Sequence, residues 1–353
     1  VNVTLTPHDR DAPVREWLAG AADSVVVTGP ADQMNVHLHT TDRAALRVGL
    51  DTLGRVVNWS EARIVSTARR YDQGDQGVHI MTDAAGSLSL SDARQLGVTL
   101  LNSYLVVGEQ SWPETLFDPE RLYAVMVDGI KVSTAQASRY EKHESYLSAV
   151  SRFQRVLYLC VGSVYTGNYE SAQRWKSENE LGDRLSVIDT GAASGRLGLI
   201  VTATAEFAGQ GADAQAVQCF AESTISQCRE LVFLDQLKYL AAGGRVSKTK
   251  GFLGDLLRKK PIVSPTAHGA AKVGIVHNRD EQLAFALDRL DAQFPTDAAP
   301  RVLLQYADNR TWVQDIVAEQ IHFRWPSANI TVRPLSLTSG AHMGPGTWAM
   351  AYL

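Results

Sequence analysis

The stretch "VHIMTDAAGSLS", residues 78–89, is a short apolar run that ends in a polar, glycine-containing loop. Such a run has the form of a buried strand opening an α/β layer. The same apolar character returns in "RVLYLCVGS" (155–163), "LSVIDTG" (185–191), "VGIVHN" (273–278), "RVLLQYA" (301–307) and "NITVRPL" (329–335). Between these runs, "AVQCFAESTISQCRELVFL" (216–234) and "RDEQLAFALDRLDAQF" (279–294) read as helices. The alternation predicts an α/β fold with a parallel sheet, whose ligands gather at the carboxyl ends of the strands.

Upstream, "ARRYDQGDQG" (68–77) is polar and glycine-containing and reads as a linker. Before it, residues 1–67 alternate in a different order. Strand-like "VNVTLT" precedes a helix in "DAPVREWLAG", with Asp11 as cap and Pro13 just inside. Strands "DSVVVTG" and "MNVHLHT" flank a Gly-Pro turn, "TDRAALRVGLDTLG" is a helix, and "EARIVST" (61–67) is the last strand. This βαββαβ order predicts a small ferredoxin-like α+β domain.

The 353 residues suit two or three domains, and 45% hydrophobic with 20% charged residues is a globular composition. A net charge of −4 speaks against a nucleic-acid or anionic-membrane partner, either of which favours a basic face. No run approaches the roughly 18 apolar residues of a membrane span. "VNVTLTPHDR" lacks the order of a signal peptide, so the expected location is the cytoplasm. Cys160, Cys219 and Cys228 form no CxxC pair and are expected as buried, reduced thiols. The start on Val, directly into a strand pattern, suits a fragment of a longer chain.

Neither GxxxxGK[ST] nor a GxGxxG between strand and helix occurs, so a nucleotide would have to be held elsewhere. His37 and His39 share one face of a strand; that spacing fits a half-exposed polar face and also two metal ligands, but no cysteine precedes Cys160. In "CVGSVYTGNYESA" (160–172), Ser163 and Thr166 add hydroxyls to a helix start, as an anion site or a simple capping turn would. "STAQAS" (133–138) reads as another hydroxyl-bearing loop. In "YLAAGGRVSKTKGFLGDLLRKKPIV" (239–263) a helix ends at Gly243-Gly244, Arg245 follows, and lysines surround an amphipathic "GFLGDLL" before Pro261 opens a strand. That basic edge fits docking to an anionic surface or plain solvated charge. In "AHMGPGT" (341–347), His342 stands beside a Gly-Pro-Gly turn, and "TWAMAYL" (347–353) has strand character that would pin it.

Together "IMTDAAGSLS", "STAQAS", "GSVYTGNYESA", "VIDTGAASGRLGLIV", "LKYLAAGGRVSKTKGFLGDLL", "KPIV" and "AHMGPGT" stand in the order of the DegV family of bacterial lipid-binding proteins, which residues 78–353 resemble. That family includes the fatty-acid-binding subunit of fatty acid kinase. The resemblance implies two α/β lobes with a long-chain fatty acid between them. It implies a carboxylate held by Thr134, by Ser163 or Thr166, and by His342, and a kinase partner docking at Arg245. The chain departs from the family pattern at Ala135 and Ala137, where serine and proline are usual, and at Gly162 and Val164. Residues 22–56 are similar to the end of the middle domain of the dihydroxyacetone-kinase-like subunit, where a His-x-His pair, here His37 and His39, contributes zinc ligands.

The resemblance therefore implies the C-terminal part of a fusion protein with a nucleotide domain upstream. This chain would hold the fatty acid while ATP-dependent phosphorylation to an acyl phosphate happens on that domain, with no catalytic residue of its own. Two other readings are a hydrolase or transferase using Ser163 or Thr166 with His342 as base, and a lipid sensor whose small domain drives homo-oligomerisation.

Overall fold

The computed structural model describes residues 1–9, 13–28, 32–40, 42–60, 77–242 and 259–353. The chain divides into two compact units, Val1–Arg69 and Arg70–Leu353. No helix among the described residues is long and apolar enough to cross a membrane.

The first unit runs β1 (Asn2–Pro7), α1 (Val14–Ala21), β2 (Asp23–Thr28), β3 (Met34–His39), α2 (Arg43–Leu53) and β4 (Gly54–Ser60). Its antiparallel sheet has the order β2-β3-β1-β4, the ferredoxin-like arrangement. Alternate strand residues such as Leu5, Val36 and Leu38 meet Leu18 of α1 and Leu46 and Leu50 of α2 in one core. Asp42 caps α2 by accepting from the Ala45 amide. Pro13 itself is the cap residue of α1, and Asp11 lies outside the described residues. The fourth strand begins at Gly54, directly after α2; the strand expected over 61–67 lies outside the described residues. Glycine permits the direct passage, because a Cβ at residue 54 would come within 2.4 Å of the Thr6 carbonyl oxygen.

The second unit opens with β5 (Val78–Asp83), α3 (Leu90–Leu96), β6 (Thr99–Leu101), β7 (Ser103–Val107), β8 (Gln110–Pro113), α4 (Pro119–Val127) and β9 (Val132–Gln136). It continues through α5 (Arg139–Arg152), β10 (Arg155–Cys160), α6 (Asn168–Glu178), β11 (Leu185–Asp189), α7 (Ser194–Ala208), α8 (Ala214–Gln227), β12 (Arg229–Phe233) and α9 (Leu237–Ala242). Then come β13 (Lys260–Thr266), β14 (Gly269–Val276), α10 (Arg279–Asp291), β15 (Arg301–Tyr306) and α11 (Arg310–Trp312). A π-helical turn leads into α12 (Ala318–Arg324), followed by β16 (Asn329–Pro334), α13 (Leu337–Met343) and β17 (Trp348–Tyr352).

These strands form a parallel sheet, β11-β10-β5-β6; a mixed sheet, β14-β13-β12-β17-β15-β16; and a small antiparallel sheet, β8-β7-β9. In the mixed sheet only β15 and β16 run parallel among the described pairings. Helix α7 contacts β5 on one side and β15 and β17 on the other. It is therefore apolar all round, with Leu197, Leu199, Ile200 and Val201 buried.

Three local readings change. "STAQAS" enters a strand, β9, whose Thr134 pairs with Leu105 of β7; its small residues gave no apolar alternation to reveal it. The tail of the helix expected over 216–234 is the central strand β12, because Cys228 turns to an extended conformation (φ −64°, ψ 135°) and "ELVF" is buried between β13 and β17. Cys160 and Cys228 are buried free thiols, but Cys219 is exposed.

Helix α7 approaches its neighbours so closely that side chains are excluded: a Cβ at Gly198 would lie 2.1 Å from the Gly86 carbonyl oxygen. Since the obstacle is backbone, Gly198→Ala should overpack this junction and cost about 1–3 kcal/mol. Urea unfolding should show a lower midpoint at unchanged slope, and a wild-type midpoint would refute the close approach.

Candidate functional site

His342 lies in the last turn of α13, and both ends of that short helix are fixed. At its start the buried Glu114 carboxylate accepts from the Ser336 hydroxyl (3.0 Å) and from the Thr338 amide (3.1 Å) and hydroxyl (3.2 Å). At its end Gly344 has φ +85°, and a Cβ there would lie 2.1 Å from the Tyr239 ring, so only glycine satisfies both conditions. The imidazole Nε2 then sits 3.1 Å from the Thr134 hydroxyl of β9.

This pair stands at a cavity of about 250 Å³ between the parallel and mixed sheets. Val161, Ala193, Val232, Val263, Leu240 and Met343 supply apolar wall, whereas Thr134, Gln136, Thr166, Thr338, Ser339 and His342 supply polar groups. Tyr165 bridges the two sides, its hydroxyl donating to the Thr266 carbonyl (3.1 Å) and accepting from the Thr266 amide (3.0 Å). Burial pushes that phenol up to about 12, so it stays a neutral strut.

Behind the wall lies a buried polar network. The Gln305 carboxamide oxygen accepts from Ser87 (2.7 Å) and from Ser194 (2.8 Å), and its nitrogen donates to Glu230 (2.8 Å). Glu230 also accepts from the Gly195 amide at 3.0 Å. Burial pushes the Glu230 carboxyl up to about 7, against the pull of the Gln305 bond, the Arg196 and Gly195 amides and the Arg196 charge. Glu114 is likewise raised to about 7 by burial, opposed by its bonds to Ser336, Leu337 and Thr338. Asp83 is raised to about 6 by burial and opposed by donors from Tyr158 (2.6 Å), the Val161 amide (2.7 Å) and Asn168 (2.9 Å).

Of the site residues expected from sequence, Thr134, Thr166 and His342 line the cavity. Ser163 does not; its hydroxyl donates to Asp189 at 2.5 Å, and its amide donates to the other oxygen of that carboxylate at 3.0 Å. Arg245 lies outside the described residues. His37 and His39 occupy alternate positions of β3, and their side chains lie outside the described residues. The zinc expectation finds no support: among the described residues no group of three or more His, Cys, Asp or Glu gathers as a metal site. Sequence reasoning missed Glu230, Gln305 and Lys142. A charged residue inside "RELVFL" was the one available signal, since an acid in an apolar run must find partners if it is buried.

Two sheets flanking a largely apolar cavity, with the Thr134 hydroxyl and the His342 imidazole in contact at its wall, define a two-lobed α/β protein. The model of a family described as uncharacterised DegV proteins matches residues 77–353, and the chain belongs to the DegV family. It is 27% identical over 278 residues to the DegV domain-containing protein YteA of Lactococcus lactis, covering 77% of this chain and 96% of that one. A DegV family protein from Thermus thermophilus, described for its fatty acid binding, has a similar fold (TM-score 0.71, 22% identity, 78% of this chain and 99% of that one). So does DegV from Bacillus subtilis, described as a fatty acid binding protein (TM-score 0.71, 19% identity, 78% and 98%).

The carboxyl shifts have a sign. Glu230 binds its proton more tightly folded than unfolded, so its contribution to stability is full below about 4.5 and is lost as pH rises to about 7. Glu230→Gln cannot titrate, so the Tm difference between wild type and variant should move against wild type across that window; parallel curves would contradict the assignment.

Proposed function

We propose that the cavity binds a long-chain fatty acid, with its acyl chain along the apolar wall and its carboxylate at Thr134, Thr166 and His342. The observation that carries this reading is the Thr134–His342 contact of 3.1 Å at the wall of an otherwise largely apolar cavity. With the ring proton on Nε2, His342 donates to Thr134, which leaves the Thr134 hydroxyl proton for a ligand oxygen. Thr166 contributes a second hydroxyl from the loop after β10. Burial of the chain gains about 0.8 kcal/mol per CH2, so the tail supplies affinity and the head group supplies orientation. The fatty acids bound by the Thermus and Bacillus proteins support the same ligand class here.

Beyond binding, we read the chain as the part of a cytoplasmic fatty acid kinase that presents the carboxylate. A carboxylate oxygen would attack the γ-phosphorus of ATP held on a dihydroxyacetone-kinase-like domain, the bond to the β,γ-bridging oxygen would break, and acyl phosphate and ADP would leave. Arg245 belongs to this proposal as the docking residue. The residues of this chain would act by positioning, which is how catalysis of such a transfer chiefly works. The hydrolase reading through Ser163 is less favoured, because its hydroxyl is engaged by Asp189 and stands outside the cavity lining; the form through Thr166 is tested by the esterase measurement below.

Solvent extraction of the purified chain followed by mass spectrometry should return a fatty acid at about one per chain; an empty protein with esterase turnover would overturn the proposal. His342→Ala and Thr134→Ala should each weaken binding by roughly 10- to 150-fold, the range for a hydrogen bond to a charged group. Unchanged affinity would remove these residues from the head-group site. Supplied with ATP, the chain alone should form no acyl phosphate.

A further inference from the structure

Lys142 of α5 is only 7% exposed, yet none of the ion pairs among the described residues involves it. Its ammonium donates to Gln136 Oε1 at 2.7 Å and lies 3.4 Å from the Ser171 hydroxyl. Burial holds it below the usual lysine range, while Asp83, Cys160 and Glu141 pull the other way. Asp83 is itself engaged by Tyr158, Val161 and Asn168. A cation kept in this position leaves its charge to act on what lies in front of it.

What lies in front is Gln136. An ammonium can only donate, so the carboxamide oxygen must face Lys142 and the NH2 group must face away. Gln136 follows Thr134 by two residues on β9, so both side chains project to one face of the strand, and both line the cavity. The carboxamide lies against Gly167, next to Thr166: a Cβ there would stand 3.6 Å from Gln136 Nε2. Among the described residues the bond from Lys142 is the only one the carboxamide makes, and Gln136 is exposed. Its NH2 is thus a donor held by Lys142 at a cavity that Thr134 and Thr166 also line.

We propose that Gln136 and Lys142 form a further head-group subsite in which Gln136 Nε2 donates to a ligand oxygen, while Lys142 positions the carboxamide and biases the site toward an anionic head group. This rests on the fatty-acid reading of the cavity. It assigns discrimination between an acid and a neutral lipid of equal length to a lysine that does not itself line the cavity.

The test compares Kd for palmitate and for hexadecanol on the full chain. Lys142→Met and Gln136→Leu should each weaken palmitate by about tenfold and leave hexadecanol within about twofold, and the double variant should be no worse than either single one. Lys142→Arg should restore much of the preference, because it keeps the charge and a donor. Should Lys142→Met fail to fold, Gln136→Leu at an exposed position decides the matter. Parallel weakening of both lipids, or no change in either, would overturn this inference alone, provided wild type binds palmitate. Wild type that binds neither lipid would overturn the fatty-acid reading and this inference with it.

Discussion

The second unit depends on one buried amide. Gln305, fully buried in β15, takes hydroxyl protons from Ser87 and Ser194 on its oxygen and gives a proton to Glu230 from its nitrogen. Ser87 follows the parallel strand β5, Ser194 opens the central helix α7, and Glu230 lies in the mixed sheet. A single side chain therefore cross-links three layers, in a setting where every unmade bond would be costly. Ser194 has φ +51°, an unfavourable conformation for a residue with a Cβ, and its bond to Gln305 is one of the contacts that hold it there. The same network reaches the site: the Ser336 amide donates to the Ser87 hydroxyl at 2.9 Å, and Ser336 begins the helix that carries His342.

The fatty acid proposed above would place two physical demands on the cavity. A long tail needs apolar walls from both sheets, and a carboxylate needs donors held in place so that its lost hydration is replaced. The first demand is met by strand residues such as Val232 and Val263 and by Met343. The second would be met by short elements tied down by buried acids: Glu114 holds the start of α13, and Asp83 of β5 holds both ends of the loop between β10 and α6. Both carboxyls sit above their ordinary range because burial outweighs the donors they accept. The acids are structural anchors for loops that carry the donors.

Much of this architecture is visible in the chain itself, and the reasons for the misses are physical. The first five elements of the small unit follow from alternation, although its fourth strand begins at Gly54, ahead of the stretch that reads as one, and "TWAMAYL" declares β17 by its apolar run. Strand β9 hides because Ser133, Thr134 and Ala135 have no strong periodicity, and β12 hides because "ELVF" directly follows a helix with no glycine or proline between. No local rule brings Thr134 to His342, which are 208 residues apart; only resemblance to a family named them together. Lys142 is illegible for a different reason. A lysine among Glu141, His143 and Glu144 reads as a solvated helix face, and only the packing of α5 against β10 and α6 turns it inward.

Strand β17 lies between β12 and β15, antiparallel to both. The two neighbours, from Arg229–Phe233 and Arg301–Tyr306, are joined in the sheet only through β17. The mixed sheet thus closes by a non-local insertion, a slow kind of step for a folding chain. Helix α13 immediately precedes that strand, so the position of the imidazole is tied to it. Removing residues 348–352 would therefore part β12 from β15 and leave α13, with its imidazole, without the strand that follows it.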